Sequence, residues 1–268
     1  MATSAHSQQQ EEASLLRSDA DGVAKLTLNR PRAGNSLSRG LMAALQAELD
    51  DISADADVRV VVIAATGEIF CAGHDLKEIR ANPGRAAYEA LFGQCAALMT
   101  SIVKLPQPVI ARVQGVATAA GCQLVASCDL AIAGANARFC TPGVHIGLFC
   151  STPMVALSRN VSRKAAMEML LTGEEIDPET AEKFGLINRA VSDAELDPVV
   201  DDMCARIVDK SPLTVRIGKQ AFYRQLEMGL EDAYDYASQV MTENMLTKDA
   251  EEGIDAFLQK RSPVWRGK

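Results

Sequence analysis

The amino-acid sequence predicts an α/β fold made of strand–helix–strand crossover units. Short runs of β-branched residues alternate with segments in which apolar residues recur at helical spacing. Crossover units of this order are right-handed, and the loops at their strand ends are available for chemistry. After Val191 the sequence becomes almost entirely helix-forming. We therefore expect a core of alternating strands and helices, followed by a helical region.

The predicted elements can be placed in chain order. Four runs are typical of strands: 23–28, 58–64, 108–113 and 129–133. Several of them are too continuously apolar to have a solvent-exposed face. A helix between the first two strands has an apolar face formed by Leu41, Ala44, Leu45, Leu49 and Ile52. A second long amphipathic helix is predicted at 86–105. The predicted organisation is a disordered polar tail at 1–14, a core at 15–200 and a helical region at 201–268.

Composition and charge exclude several classes of protein. A chain of 268 residues that is 48% hydrophobic can bury a large core. Lys and Arg number 27 against 35 Asp and Glu, so the net charge of −8 provides no positive field for nucleic acid, and any anionic ligand must be bound locally. No apolar run is long enough to span a bilayer. The start, MATSAHSQQQEEASLLR, has acids before its first Arg and no apolar core, which favours a cytoplasmic protein.

The seven cysteines do not form a recognisable metal or disulfide pattern. They include no CxxC pair and no histidines interleaved at metal spacing. Most lie within apolar runs, which is typical of buried thiols in a reducing compartment. The sequence therefore predicts no metal site.

Two loops have the composition of a catalytic site. The first, GEIFCAGHDLKEIR (67–80), follows a strand and runs into a helix. Asp75 and Glu78 have the spacing of a capping box, so the helix begins there and its free N–H groups point toward His74. The small residues Ala72 and Gly73 let a ligand approach the backbone.

The second loop, VQGVATAAGCQL (113–124), repeats this arrangement of strand, small residues and helix. Ala119, Ala120 and Gly121 leave their N–H groups sterically open. Either loop alone is equally typical of a tight strand-to-helix turn. Together they predict a pair of amides that stabilises the oxyanion of an enolate or a tetrahedral intermediate.

The chain resembles the crotonase, or enoyl-CoA hydratase/isomerase, superfamily from about Gly22 to Trp265. The resemblance is carried, in unbroken order, by LNRPRAGNSLS, IFCAGHDLKEI, PVIARVQGVATAAGCQLVASCDLAIAGANARFCTPGVHIGL and AMEMLLTGEEIDPETAEKFGLINRAV. It implies a spiral core of ββα units, a C-terminal helical trimerisation region and an acyl-CoA ligand, with no permanently bound cofactor. The thioester oxygen of that ligand is expected between the backbone N–H groups of His74 and Ala120.

The resemblance also implies which residues contact coenzyme A. Lys260, in FLQKR, matches a lysine that approaches the coenzyme A phosphates from a neighbouring subunit. The residues that match the other stretches lining coenzyme A are Arg32, Ala33, Gly34, Ala72, Asp75, Leu76 and Lys77.

The chain differs from the hydratases it resembles at two positions. Those enzymes carry glutamate where Gln123 and Gly143 stand, and the two carboxyl groups activate water and deliver the Cα proton. Gln123 has no ionisable group and Gly143 has no side chain, so the usual two-glutamate mechanism is not expected here.

Several nearby residues are candidates to replace the missing carboxyl groups. His145 is the candidate acid or base, although the pattern favours a histidine that packs between Val144 and Ile146 and is hydrogen-bonded to backbone. Cys140, Cys150 and Ser151 are candidate nucleophiles, or else small buried fillers. Asp129, which opens a predicted strand, is interpreted as a structural acid satisfied by backbone donors.

Three functions stay open at this point. The first is an acyl-CoA isomerase, hydrolase or weak hydratase that uses the amide pair and an unconventional base. The second is a non-catalytic acyl-CoA-binding protein that acts as a sensor, carrier or partner subunit. The third, a serine hydrolase, lacks a GxSxG motif. The helix YDYASQVMTENML is apolar around most of its circumference, and the resemblance favours its burial in a homotrimer or a dimer of trimers.

Overall fold

Two sheets and eleven α-helices make up the fold of the residues that the structure describes. The structure is a computed structural model, and it describes residues 13–268. The strands are β1 (Leu15–Ala20), β2 (Val23–Leu28), β3 (Val60–Ala65), β4 (Ile69–Cys71), β5 (Val109–Val113), β6 (Val116–Thr118), β7 (Leu130–Gly134), β8 (Arg138–Cys140) and β9 (Arg189–Val191). The first helices are α1 (Arg39–Ala54), α2 (Leu76–Ala81), α3 (Arg85–Lys104), α4 (Ala120–Ser127), α5 (Pro153–Asn160) and α6 (Arg163–Thr172).

The remaining helices form most of the C-terminal part of the chain. They are α7 (Pro178–Phe184), α8 (Leu196–Val208), α9 (Pro212–Gln225), α10 (Leu230–Met245) and α11 (Lys248–Gln259). Single turns of 3-10 helix occur at Pro31–Ala33 and Pro142–Ile146. The four predicted strands and both predicted helices are present within two residues of their expected ends.

The chain alternates between the two sheets in a regular way. The larger sheet has the order β1-β2-β3-β5-β7-β9, and the smaller sheet has the order β4-β6-β8. Every pair of neighbours is parallel except β1 and β2. A strand of the larger sheet is thus followed by one of the smaller sheet and then by a helix, which confirms the predicted ββα units.

The larger sheet is covered on both faces. One face packs against the main core, to which α1, α3 and α4 contribute their apolar sides. The other face packs against α8 through a second cluster: Val60, Val62, Ile110, Ile132, Leu196, Val200 and Cys204. Burial on both faces explains why these strands read as continuous apolar runs. Because α8 spans residues 196–208, the predicted division at residue 200 lies inside a helix that packs on the sheet.

Strand β1, which forms a hairpin with β2, is the main element that the sequence patterns did not predict. β1 is an edge strand whose residues are mostly exposed, so its sequence lacks the apolar pattern from which a strand is predicted. The turn at Asp21 and Gly22 has positive φ angles of 50° and 78°, as an Asp-Gly hairpin requires. Of the predicted tail at 1–14, residues 1–12 lie outside the described part of the chain. Its last two residues are held by Asn29, which donates to the carbonyls of Ala13 and Ser14.

Helix α3 is the one helix among residues 13–268 that is long and apolar enough to cross a membrane. Its apolar character has a simpler origin, because one side of the helix lies in the main core. The buried residues of α3 are Leu91, Cys95, Leu98, Met99 and Ile102. Core helices of this kind meet the same length and hydropathy criterion as membrane spans.

Candidate active site

The two loops singled out in the sequence lie side by side. β4 and β6 are parallel neighbours, with Cys71 opposite Ala117, so the turns that follow them emerge at the same edge of the smaller sheet. Gly73 lies so close to the second turn that a Cβ on it would stand 3.2 Å from the Ala120 nitrogen. The sheet register therefore brings the two predicted amide donors together.

The backbone N–H groups of His74 and Ala120 have no acceptor within the described chain. In the first turn, Leu37 N donates to Gly73 O at 2.7 Å and Asp75 N donates to Leu37 O at 3.4 Å, which leaves the N–H of His74 between them unpaired. In the second turn, Ala119 N donates to Cys140 O at 2.9 Å. Ala120 is the first residue of α4, so its N–H has no helical partner. The site thus presents two free amide donors from two adjacent turns.

The second turn has a strained backbone and no room for larger residues. Ala119 has φ 51° and ψ −115°, a conformation that residues with a side chain rarely adopt. A Cβ on the next-but-one residue, Gly121, would lie 2.1 Å from the Cys71 carbonyl oxygen. Strain of this kind persists only when surrounding contacts enforce it, and it is concentrated at functional sites. Close packing of Gly121 against the Cys71 carbonyl accompanies this strain.

Asp75 fixes the first turn, as the sequence predicted. Its carboxylate caps α2 by accepting from the backbone N–H groups of Lys77 and Glu78, and it pairs with Arg30 at 3.1 Å. Burial opposes ionisation of Asp75, but these hydrogen bonds outweigh it and hold its pKa below the ordinary value. The other half of a capping box is missing, because Glu78 accepts from the backbone N–H of Arg39 instead.

The segment that contains Arg32, Ala33 and Gly34 packs against the first turn. Ala72 N donates to Gly34 O at 2.9 Å, and a Cβ on Gly34 would lie 3.1 Å from the Ala72 Cβ. Arg32 and Ala33 are exposed beside this contact, as are Leu76 and Lys77 on α2. The structure therefore brings together both stretches that the resemblance assigned to coenzyme A.

Asn35 holds this segment in place and was missed in the sequence. It is fully buried, and its side chain accepts from Arg30 N and donates to the carbonyls of Thr66 and Ile69. Its φ of 51° lies in the left-handed region that Asn tolerates. The only available signal was an Asn directly after a glycine in a turn-like stretch.

The imidazole ring of His74 lies in an apolar environment. It makes an edge-to-face contact with Phe92 of α3, with ring centroids 5.7 Å apart. Both ring nitrogens are buried and have no hydrogen-bond partner in the described chain. Burial lowers the pKa of His74 below its ordinary value, so the ring is neutral at pH 7.

Comparison with known proteins identifies the family to which this arrangement belongs. Residues 18–268 match the family described as enoyl-CoA hydratase/isomerase. The chain belongs to the enoyl-CoA hydratase/isomerase family. The match covers the larger part of the β1–β2 hairpin, both turns and the C-terminal helices, and it therefore includes every residue of the candidate site.

Relatives and solved structures agree with the family and with its fold. Enoyl-CoA hydratase domain-containing protein 3, mitochondrial, of Xenopus laevis is 47% identical over 244 residues, which is 91% of this chain and 83% of that protein. A crystal structure of enoyl-CoA hydratase from Mycobacterium smegmatis has a TM-score of 0.93 and 53% identity, covering 95% of this chain and 99% of that chain. The crystal structure of human enoyl Coenzyme A hydratase domain-containing protein 3 has a TM-score of 0.92 and 44% identity, and the match covers 94% of this chain and 100% of that chain. The predicted crotonase-like α/β fold is confirmed.

These relatives overturn one prediction, that of a cytoplasmic location. The matching proteins from Xenopus laevis, Rattus norvegicus and Homo sapiens are all described as mitochondrial. The prediction relied on the residues at the start of the chain, most of which lie outside the described part. Charge and apolar content at that end were thus a poor guide to location.

Gln123 and Gly143 both lie in the interior of this enoyl-CoA hydratase/isomerase family member. Gln123 is 5% exposed, and its Oε1 accepts a long contact of 4.0 Å from the Cys95 thiol. A Cβ on Gly143 would lie 2.6 Å from Leu148 O and 2.9 Å from Cys150 Sγ. The φ of Gly143 is ordinary, so steric contact, and not backbone conformation, is what a larger residue would meet there.

His145 is not directed at the two turns. It is exposed, its Nε2 lies 2.8 Å from the carbonyl oxygen of Thr172, and its ring packs against Gly173 at the end of α6. The hydrogen bond to backbone is the alternative that the sequence left open. The acid or base role predicted for His145 is therefore not supported by its position.

The candidate nucleophiles have the properties of structural residues. Burial raises the pKa of the Cys140 and Cys150 thiols, so neither is a ready thiolate. Ser151 Oγ donates to Phe149 O at 3.3 Å and has no histidine partner among the described residues. Within residues 13–268, no group of three His, Cys, Asp or Glu side chains is arranged to hold a metal ion.

Lys260 lies at the end of α11 and belongs to neither of the two turns. It ends α11 in a left-handed conformation with φ 56°, and α11 packs on α9 and α10. Its side chain is exposed next to Phe257 and Leu258, which are 82% and 72% exposed. Contact of Lys260 with coenzyme A from a neighbouring subunit stays a prediction.

Proposed function

We propose that this protein binds an acyl-CoA thioester and holds its carbonyl oxygen between the backbone N–H groups of His74 and Ala120. The observation that carries this proposal is the meeting of two unpaired amide donors from adjacent turns. Such donors are worth most where negative charge develops on the oxygen of an enolate or a tetrahedral intermediate. Membership of the enoyl-CoA hydratase/isomerase family supports a thioester as the ligand.

The coenzyme A portion is proposed to lie along the paired segments beside this site. Arg32, Ala33 and Gly34 form one side, and Ala72 with the start of α2 forms the other. Exposed Arg32 and Lys77 supply positive charge for phosphate groups on a chain whose net charge is −8. Asp75 acts through Arg30 and the α2 backbone, and it keeps this surface in position.

The usual two-glutamate hydration is not part of this proposal. Gln123 and Gly143 stand where we expect the two glutamates of family hydratases, and the neighbouring His145 is hydrogen-bonded to a backbone carbonyl. Loss of a general base alone reduces rates by about 10²–10⁴-fold. The chemistry that remains is stabilisation of an enolate or oxyanion, as isomerases, acyl-CoA hydrolases and weak hydratases require.

A non-catalytic acyl-CoA-binding role is the second candidate function. It is favoured because Gln123 and Gly143 supply no ionisable group, and Asp75, the carboxylate beside the first turn, is engaged by Arg30 and by the α2 backbone. In that case the amides hold the thioester without turning it over, and the protein acts as a sensor, carrier or partner subunit.

Turnover and binding measured on the same preparation separate the two functions. The assay follows crotonyl-CoA and a panel of saturated, unsaturated and 3-hydroxyacyl-CoA thioesters, and thermal unfolding is recorded with each ligand. Both functions predict stabilisation, of about 2.7 kcal/mol at a ligand concentration one hundred times Kd. Turnover supports the enzyme, and stabilisation without turnover supports the binding protein. Absence of stabilisation by any thioester contradicts both.

We further propose that the C-terminal helices assemble the protein into a homotrimer or a dimer of trimers. Helix α10 buries no residue in the single chain, and large apolar side chains of α10 and α11 are exposed, among them Leu230, Tyr234, Met241, Phe257 and Leu258. An apolar surface of this size is typical of a subunit interface. Sedimentation equilibrium of the full chain distinguishes a trimer or hexamer from a monomer.

A further inference from the structure

A cavity of about 420 Å³ lies at the edge of the larger sheet where β3 and β5 begin. Its walls come from the residues that precede these strands, from the start of α9 and from the chain around Trp265. β3 and β5 are parallel, and the two turns of the candidate active site follow them in the chain. The cavity is therefore at the opposite end of these strands from the amide pair, and it is a separate site.

Three arginines line this cavity without a carboxylate partner. Neither Arg59 nor Arg216 nor Arg266 forms an ion pair with an acid of residues 13–268. Arg59 is fixed by donating to the carbonyls of Val208 and Lys210 at the end of α8. The guanidinium groups of Arg216 and Arg266 are exposed and donate to no group of the described chain.

The one acid among the residues that line the cavity does not neutralise these arginines. Asp55 accepts from Asp57 N at 2.9 Å, and its carboxylate lies 3.6 Å from Arg17. Even with Glu252, on which the charge of Arg266 acts, the three guanidinium groups outnumber the two carboxylates and form a local positive field at this opening. Such a field attracts an anion, and guanidinium geometry suits phosphate oxygens.

Gln107 provides an independent indication of a ligand. Its Nε2 donates to the carbonyls of Ile52 at 2.7 Å and Asp55 at 3.1 Å, which fixes the orientation of the amide. Its Oε1 is buried without any hydrogen-bond donor in the described chain, and the residue is only 9% exposed. A buried carbonyl oxygen without a donor is unfavourable, and because Gln107 lines the cavity, a small shift of its side chain would let an N–H or O–H group of a ligand reach this oxygen.

Trp265 gives the cavity a flat wall. Its indole N–H donates to Asp209 O at 2.7 Å, and the ring packs over Gly253, so its orientation is fixed. We propose that this cavity binds a nucleoside phosphate, with the phosphate held by Arg216 and Arg266 under the charge of Arg59. The planar base then lies along Trp265, and a hydroxyl or amino group of the ligand donates to Gln107 Oε1.

Calorimetric titration of the full chain with AMP tests this proposal. The wild type is expected to bind AMP saturably, inorganic phosphate more weakly and adenosine more weakly still, with the affinity for AMP falling as salt rises. The double variant Arg216→Gln/Arg266→Gln is expected to bind AMP at least about tenfold more weakly. The matched control Arg163→Gln, an exposed arginine on α6, is expected to bind AMP as the wild type does.

Two further measurements test whether AMP binding is independent of the candidate active site. Saturating crotonyl-pantetheine, a thioester that lacks the nucleotide of coenzyme A, should leave AMP binding to the wild type unchanged, and the double variant should keep its full stabilisation by crotonyl-pantetheine. Both arginines are exposed, so thermal unfolding of the variant without ligand checks that it is folded. No saturable binding of AMP, equal binding by the double variant, or displacement of AMP by crotonyl-pantetheine overturns the proposal.

Discussion

Gly121 is the residue at which the two turns are packed against each other. Because a Cβ there would lie 2.1 Å from the Cys71 carbonyl oxygen, Gly121→Ala must push the turns apart. We expect a loss of about 1–3 kcal/mol in the free energy of unfolding and a loss of stabilisation by acyl-CoA. Urea denaturation with and without ligand measures both.

Gly93→Ala is the matched control for this substitution. Gly93 is also helical, but no heavy atom lies within 4 Å of a Cβ built there. Alanine at position 93 should therefore raise the free energy of unfolding by about 0.5–1 kcal/mol and leave acyl-CoA binding unchanged. If Gly121→Ala behaved like Gly93→Ala, the close packing of the turns would play no part in binding.

Gln123→Glu tests whether one carboxyl group restores hydration. We expect the rate of crotonyl-CoA hydration to stay within about tenfold of the wild type, because Gly143 still supplies no second proton-transfer group. Loss of enoyl absorbance measures the rate, and Gln123→Met controls for the change in packing beside Cys95. A rise of about 10²-fold or more in Gln123→Glu would show that a single carboxyl group suffices.

At the scale of single elements, helix α2 depends on the charge of Asp75. The pKa of Asp75 is lowered in the folded state, so its ionised form contributes stability above the ordinary carboxyl pKa of about 4. That contribution is lost as the pH falls through the folded-state pKa. Asp75→Asn keeps the capping oxygen but removes the charge that pairs with Arg30.

We expect Asp75→Asn to lower the free energy of unfolding by up to about 1 kcal/mol at pH 7, with the difference from wild type vanishing in acid. Chemical denaturation at a series of pH values provides the measurement. Asp235→Asn, at an exposed position on α10, serves as the control and should change little. A difference between Asp75→Asn and wild type that is independent of pH would mean that the charge of Asp75 is not responsible.

Helix α9 is attached to the core by a buried ion pair. Lys219 donates to Asp129 at 2.7 Å and to the carbonyls of Ile102 and Gln107, and Tyr223 also donates to Asp129. Burial lowers the pKa of Lys219, and the charge of Asp129 opposes that shift. Asp129 also accepts from Val109 N, so one of its donors is a backbone group as predicted, whereas the other two are side chains.

Removal of this lysine should be strongly destabilising. Lys219→Met leaves Asp129 without its counter-charge, so we expect a loss of about 3–5 kcal/mol in the free energy of unfolding. Lys248→Met removes an exposed ion pair with Glu251 on α11 and should cost less than about 1 kcal/mol. Equal losses in the two variants would show that the contacts of Lys219 do not hold α9 to the core.

Sequence patterns revealed the long elements and missed the short ones. β3, β5 and β7 were predictable because they are continuous apolar runs buried on both faces. The strands of the smaller sheet have only three residues each, which is too few for any periodicity to show. Those short strands are nevertheless the elements that bring the two turns together.

At the scale of the whole molecule, the composition of the site was predictable but its contacts were not. The small residues around His74 and Ala120 indicated open amides, because each loop lies between a strand and a helix. The ion pair between Arg30 and Asp75 joins residues 45 apart, and that between Lys219 and Asp129 joins residues 90 apart. Pairings at such separations depend on how the sheets stack, which no local pattern encodes. The contact of His145 with the Thr172 carbonyl likewise depends on tertiary packing, so the sequence did not reveal it.

A crystal structure of the full chain with a bound acyl-CoA thioester would decide whether the two amides bind the ligand. The proposed binding mode predicts that the thioester oxygen lies about 2.7–3.1 Å from the backbone nitrogens of both His74 and Ala120. It would be contradicted if the oxygen lay beyond hydrogen-bonding distance of either nitrogen.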